Sequence, residues 1–299
     1  MTVATVAGAS SRPKKLSSMS RDRTWALRWS YFFLVLFAIL FLLPPIYMLI
    51  TSLKTSQEIS AATSPWWVYN PTLENYRGLL TSPEYLTFFR NSAMVSVVVV
   101  TLTMLISIPA AFALSRMHFW GSATLATGVF LTYLIPETLL FLPLFKMFAV
   151  FKEWTDIELI NRWWVLLILY PTLTVPFCTW IMIGYFASIP KELDEAALID
   201  GAGWLQTLMK IFVPVALPGI IAAAIFSAIF AWNEFLFAAI LTADNVRTLP
   251  VAITGFSTSM GIRWGAFMAT ATVGIVPIFI LTVLLQRHLV RGLTFGAVK

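Results

Sequence analysis

The chain has 299 residues, of which 59% are apolar and 11% charged, with a formal net charge of +6 and a mean hydropathy of +0.83. One water-soluble core could not cover that much apolar surface, so the composition is that of an integral membrane protein. The positive charge is explained by basic flanks held at anionic lipid and calls for no nucleic-acid partner, and the single cysteine, Cys178, excludes intrachain disulfides and a multi-cysteine metal site.

In chain order, residues 1–30 form a basic segment rich in Ser and Ala, without apolar periodicity. They are expected to be a cytoplasmic segment that is disordered or lies on the lipid surface. A membrane span needs roughly 20 largely apolar residues to cross ~30 Å of hydrocarbon. Stretches at about 31–51, 91–114, 122–147, 163–186, 218–241 and 264–285 meet that length and predict an all-α membrane protein with six transmembrane helices. The first stretch lies behind a leader too long for a cleavable signal peptide and lacks a small-residue cleavage pattern, so it reads as a retained span. An even number of spans puts both termini on one side. That side also receives the 188–218 segment and the larger share of the Lys and Arg residues, among them Arg12, Lys14, Lys15, Arg21, Arg116 and Arg287, which predicts that it is the cytoplasm.

Three segments are left for the outer side. Residues 52–90 carry Trp66, Trp67, Tyr69, Tyr76 and Tyr85, the composition of an interfacial aromatic belt. Residues 149–162, with Lys152, Glu153, Trp154, Asp156 and Glu158, could form an amphipathic surface helix, and residues 242–263 contain Asp244, Arg247 and Pro250.

The charged segment 188–218 reads SIPKELDEAALIDGAGWLQTLMKIFVPVALP. Helix-start signals converge at its beginning: Ser188 as N-cap, Pro190 in the first turn, and Glu192, Asp194 and Glu195 opposing the positive end of the helix dipole. The expected helix covers 190–199 and puts Leu193, Ala196 and Ala197 on one face, where small side chains let a second surface approach. Gly201 and Gly203 then end it, and Pro214 and Pro218 break the chain again. A solvated connector would account for the charges, but it does not require a glycine and a proline at fixed offsets.

Those offsets carry a resemblance. Glu195-Ala196-Ala197, three residues, Gly201, nine residues, then Ile211-Phe212-Val213-Pro214 resembles the EAA loop of ATP-binding-cassette importer permeases, with Val213 where the family has Leu. Shorter matches to sugar-importer permeases are Ser52-Leu53-Lys54 with Glu58-Ile59, Asn75-Tyr76, the run from Val246 to Val251, and Trp232-Asn233-Glu234-Phe235. The carboxy end, including Arg287, Arg291 and Gly296 to Lys299, is similar to the second permease subunit of maltose-type transporters.

The resemblance covers 31–299 and implies one permease domain, in which 188–218 is a cytoplasmic coupling loop between spans 4 and 5. It implies that Glu195, Ala196, Ala197 and Gly201 form the core that docks on an ATPase subunit, with Glu192, Asp194 and Asp200 meeting basic groups beside it. It also implies a first permease subunit as heterodimer partner, two cytoplasmic ATPase subunits that use ATP and Mg, an external solute-binding protein, and location in a bacterial inner membrane. The chain has no G-x-x-x-x-G-K-[ST] segment, so no cofactor site of its own is expected and ATP is hydrolysed by a partner. The implied solute is a sugar, oligosaccharide, polyol or glycosyl-glycerol. The alternative is a secondary, ion-coupled transporter of small polar solutes, a class that tends toward inverted repeats and broken-helix ion sites.

An ionisable side chain inside a span costs roughly 2.5–3.5 kcal/mol at the helix centre, so an acid there faces a cavity or a partner. Glu137, after Pro136, and Glu234, after Trp232-Asn233, are the candidates, with Asn233 able to donate to and accept from hydroxyls. Glu234 and Asn233 equally fit an interhelical hydrogen bond, and Glu137 equally fits an interfacial acid. Trp163, Trp164 and Trp180 could stack on a sugar but fit lipid anchoring better. His118 and His288 are isolated, and without H-E-x-x-H or G-x-S-x-G the chain offers no metal site and no hydrolase machinery.

Overall fold

The structure, a computed structural model, describes residues 16–61, 66–117, 119–243, 246–258 and 261–294. Arg12, Lys14, Lys15, His118, Asp244 and the tail 295–299 lie outside the described residues, as do the side chains of Arg21, His288 and Arg291. The elements in chain order are α1 (Leu16–Ser52), α2 (Ser56–Ser60), α3 (Glu74–Leu80), α4 (Pro83–Arg116), α5 (Ser122–Tyr133), α6 (Glu137–Thr155), α7 (Trp163–Ser188) and α8 (Glu192–Ile199). After α9 (Trp204–Thr207) comes a π-helical turn, Leu208–Phe212, then α10 (Val213–Val215), α11 (Leu217–Asn233), α12 (Leu236–Leu241) and α13 (Leu249–Thr254). The small hairpin of β1 (Ser257–Thr258) and β2 (Gly261–Ile262) leads into α14 (Trp264–Thr294).

Among the described residues, four helices are long and apolar enough to cross a membrane, and six segments qualify when each of two sharply bent helix pairs is taken as one span. The bends are where the structure departs from continuous spans. Between α5 and α6 the chain turns by 93° at Leu134–Pro136. Pro136 has no N–H to continue the ladder and drives the residue before it out of helical geometry, so the stretch expected as one helix over 122–147 becomes two. The stretch expected over 218–241 likewise ends at Asn233, because Glu234 takes an extended conformation and starts a new helix with its own carboxylate. A further bend of 82° separates α11 from the α9–α10 arm.

The core is built on α7, the most enclosed of the long helices, with α4 and α11 packed along it. Tyr170, Leu166, Val165, Met182 and Phe186 of α7 are fully buried there. Hydroxyl and thiol bonds fix the register between helices in place of water: Thr103 to Thr174 at 2.6 Å, and Cys178 to the Ala223 carbonyl at 3.4 Å. The Trp232 indole ties α11 to α14 through the Gly274 carbonyl at 2.9 Å.

Helix α1 begins at Leu16, so residues 16–30, expected as an irregular surface segment, continue the first span as helix. No residue of its apolar window is buried, and it packs chiefly along α14. On the opposite side, 52–90 is more than an aromatic belt. Asn75 Nδ2 donates to the carbonyls of Ser52 (2.9 Å) and Lys54 (3.2 Å), and the Ser52 and Tyr76 hydroxyls meet at 2.6 Å. The Glu58 carboxylate accepts from the Tyr69 N–H at 2.8 Å. In 149–162, α6 runs on to Thr155 and stops at Asp156, whose φ of +58° ends the helix, so no separate surface helix forms.

Candidate functional site

The charged segment folds as a short helix held against the ends of α4 and α7. Helix α8 starts at Glu192, two residues later than expected, because the Ser188 hydroxyl donates to the Tyr185 carbonyl (2.7 Å) and closes α7 instead of capping α8. Lys191 occupies the cap position without a side-chain bond, leaving Glu192, Asp194 and Glu195 in the first turn to complement the dipole. At the other end the Gly201 N–H bonds to the Leu198 carbonyl (3.1 Å) and the Ala202 N–H to the Ala197 carbonyl (2.9 Å). This paired C-terminal closure requires a left-handed residue, and Gly201 has φ +73°. The glycine offset seen in the sequence is thus the offset of the helix stop.

The expected apolar face divides. Ala197 is buried and Leu193 is half-buried, Leu193 packing onto the protein's own core of Phe112, Phe186 and Phe212, whereas Ala196 is exposed. The outward surface carries Glu192, Glu195, Ala196 and Asp200 together with Leu198 and Ile199, which are 74% and 87% exposed. Trp204 and Leu205 extend the apolar part of this surface. These four large apolar residues were missed in the sequence, although Leu198-Ile199 directly before Asp200-Gly201 was a visible signal. An open hollow of about 480 Å³ lies beside α8 at the ends of α4 and α7, and Glu195 and Leu198 form part of its rim.

Asp194 does not face outward as expected. Its Oδ2 accepts from Arg116 Nη1 at 2.9 Å, with the arginine side chain 7% and the aspartate 28% exposed. The guanidinium also donates to the carbonyls of Phe186 and Ile189 and lies 4.9 Å over the Phe212 ring. A buried cation at the carbonyl end of α7 has drawn in the one acid of α8 able to reach it.

The structure brings Glu137, Asn233 and Glu234 to one open cleft of about 470 Å³, lined also by Tyr133, Phe226, Phe230 and Phe235. The two helix breaks create it, with Glu137 opening α6 and Glu234 standing between α11 and α12. Their roles differ. Glu234 is buried and spent on structure: it accepts the N–H groups of Phe237 (2.8 Å) and Ala238 (3.2 Å) and the Tyr170 hydroxyl. Asn233 is exposed, lines the cleft, and gives one amide proton to the Ile229 carbonyl at 2.9 Å. Glu137 is partly exposed on the cleft wall. An aromatic ladder borders the cleft, with ring centroids at 4.1 Å for Phe177–Phe226 and 4.9 Å for Tyr133–Phe177 and Phe130–Trp180. Trp163 and Trp164 stack on each other at 3.8 Å. Tyr170 was not anticipated, since nothing local to it marks a residue that binds an acid far along the chain. Among the described residues no group of His, Cys, Asp and Glu is arranged to hold a metal ion.

The family model for the binding-protein-dependent transport system inner membrane component matches residues 103–295, which include α8, both sides of the cleft and most of the core. The sulfoquinovosyl glycerol transport system permease protein SmoH of Agrobacterium fabrum is 36% identical over 259 residues, 86% of this chain and 89% of that protein. The trehalose/maltose transport system permease protein MalG of Thermococcus litoralis is 36% identical over 269 residues, 89% and 94% of the two chains. A crystal structure of a bacterial ABC transporter that imports the acidic polysaccharide alginate shares the fold, with a TM-score of 0.75 at 22% identity, over 92% of this chain and 99% of the other. The chain belongs to the family of inner-membrane components of binding-protein-dependent transport systems.

Proposed function

We propose that this chain is one of the two permease subunits of an ATP-driven importer for a sugar or sugar-like solute, and that α8 is its docking element for a cytoplasmic ATPase subunit. The observation that carries the reading is the surface of α8: a short, glycine-stopped helix projecting Glu192, Glu195, Ala196, Leu198 and Ile199 beyond the bundle. In this reading Ala197 and Gly201 set the shape of the docking core from within, and Asp200 joins Glu192 and Glu195 in meeting basic groups. Asp194 serves the helix internally. Residues 31–299 act as one permease domain, both termini and α8 face the cytoplasm, and ATP and Mg are bound by the partner ATPases. The exposed length of α1 is the surface for the other permease subunit, and a solute-binding protein delivers substrate on the opposite face.

The cleft supports the solute class. Glu137 and Asn233 offer hydrogen-bonding groups to hydroxyls, Glu234 holds the wall in shape, and the aromatic border provides faces for sugar rings. The relatives named for sulfoquinovosyl glycerol and for trehalose and maltose support the same class. The test is uptake of trehalose, maltose and sulfoquinovosyl glycerol by proteoliposomes holding the assembled complex, with ATP inside or with an imposed proton or sodium gradient. Uptake that needs ATP and the ATPase subunits is expected; uptake on a gradient alone would sink the reading in favour of a secondary transporter.

A further inference from the structure

We propose that Arg116 is the strut that passes displacement of α8 into the membrane-spanning helices, a positioning residue for transport. The inference rests on the docking reading of α8 and goes beyond it by naming the route out of that helix. Arg116 is the last residue of α4, and its side chain is almost wholly buried. Three separate parts of the chain converge on it: Asp194 of α8 through an ion pair of 2.9 Å, the Phe186 and Ile189 carbonyls at the end of α7, and the Phe212 ring in the π-helical turn of the return arm. The end of α7, α8 and the π-helical turn are therefore tied to α4 at one guanidinium.

The rest of the contact between α8 and the bundle is slight. Leu193 gives it a small apolar footing, and a hollow lies beside the helix. Apolar contacts of that size are non-directional and slide, whereas a planar guanidinium with fixed donors, each to an acceptor on a different segment, holds direction as well as distance. A push on α8 then moves the ends of α4 and α7 together. Because α4 and α7 form the core against which α11 packs, their movement reaches the cleft walls.

The experiment uses the complete complex, with both permease subunits and the ATPases, and needs no knowledge of the solute. A cysteine is placed at Ile229, which lines the cleft and is partly exposed, while native Cys178 is buried. The labelling rate by a water-soluble maleimide is measured with and without Mg-ATP, beside the rate of ATP hydrolysis. In the unaltered strut background ATP changes the labelling rate. In Arg116→Gln the ATPase subunits still co-purify and hydrolyse ATP, while the ATP-dependent change in labelling shrinks by roughly tenfold or more. A role confined to stability would instead lower hydrolysis and labelling response in the same proportion, and that result, or a labelling response equal to the wild type, overturns the proposal. Should Arg116→Gln fail to assemble, Arg116→Lys decides: it keeps a cation for Asp194 without the fork to the carbonyls, and a full labelling response in it overturns the strut. A wild-type complex from which ATPase subunits are absent overturns the docking reading itself.

Discussion

Gly201 provides a test in which backbone conformation and side-chain bulk predict opposite orders for alanine and asparagine. Its φ of +73° lies in the left-handed region, and a Cβ built there would meet nothing within 4 Å, so a substitution is resisted by the backbone and not by crowding inside this chain. An ordinary L-residue pays about 1–2 kcal/mol in that conformation, Asn less because it enters the left-handed region more readily, and a β-branched residue most. If the α8 stop must keep its shape to dock, that strain appears as weaker binding of the ATPase subunit, roughly 5- to 30-fold for 1–2 kcal/mol. The expected order of loss is Gly201→Asn smallest, Gly201→Ala intermediate and Gly201→Val largest, with uptake falling in the same order. Titration of purified ATPase subunit onto the detergent-solubilised permease pair measures it. Asn is larger than Ala, so a milder effect of Ala than of Asn would refute the backbone argument and put the cause in bulk at the docking surface.

At Gly219 the opposite mechanism operates: a Cβ would sit 2.4 Å from the Tyr185 ring, so Gly219→Ala is expected to cost about 1–3 kcal/mol of stability, read as earlier thermal unfolding and relieved in combination with Tyr185→Leu. Tyr170→Phe removes the side-chain donor to Glu234 and should destabilise by about 1–3 kcal/mol, with a less than additive effect in the double variant with Glu234→Gln; full additivity would show that the two side chains do not act on each other. Glu137→Gln and Asn233→Ala are expected to raise the solute concentration for half-maximal uptake several-fold, about 1 kcal/mol of lost hydrogen bonding, while leaving ATPase binding unchanged. Unchanged uptake kinetics in both would remove them from the pathway. Thr103→Val should cost about 0.6 kcal/mol, the usual worth of a hydroxyl bond between membrane helices, when unfolding in mild detergent is compared with wild type.

Much of this protein was legible before any coordinates. The apolar stretches marked the spans because hydropathy over ~20 residues is a local property that the bilayer reads directly. The α8 helix was legible for the same reason, since the first-turn acids and the glycine stop are local helix chemistry, and the fixed spacing carried the family. Where local signals competed, they misled: Ser188 looked like a cap and instead closes α7, and the stretch across Pro136 looked like one continuous helix although its proline bends the chain by 93°.

What could not be read along the chain were the pairings. Asp194 is 78 residues from Arg116, and Glu234 is 64 from Tyr170, and in each case composition named an acid without its partner. A charged or polar group at membrane depth or beneath a loop is stable only against a specific complement. Which side chain supplies that complement depends on how helices far apart in the chain come to lie side by side. Helical segments and their ends follow from local physical chemistry; the cleft and the arginine anchor exist because α4, α7 and α11 pack together, and that packing sums contacts that no single stretch of residues contains.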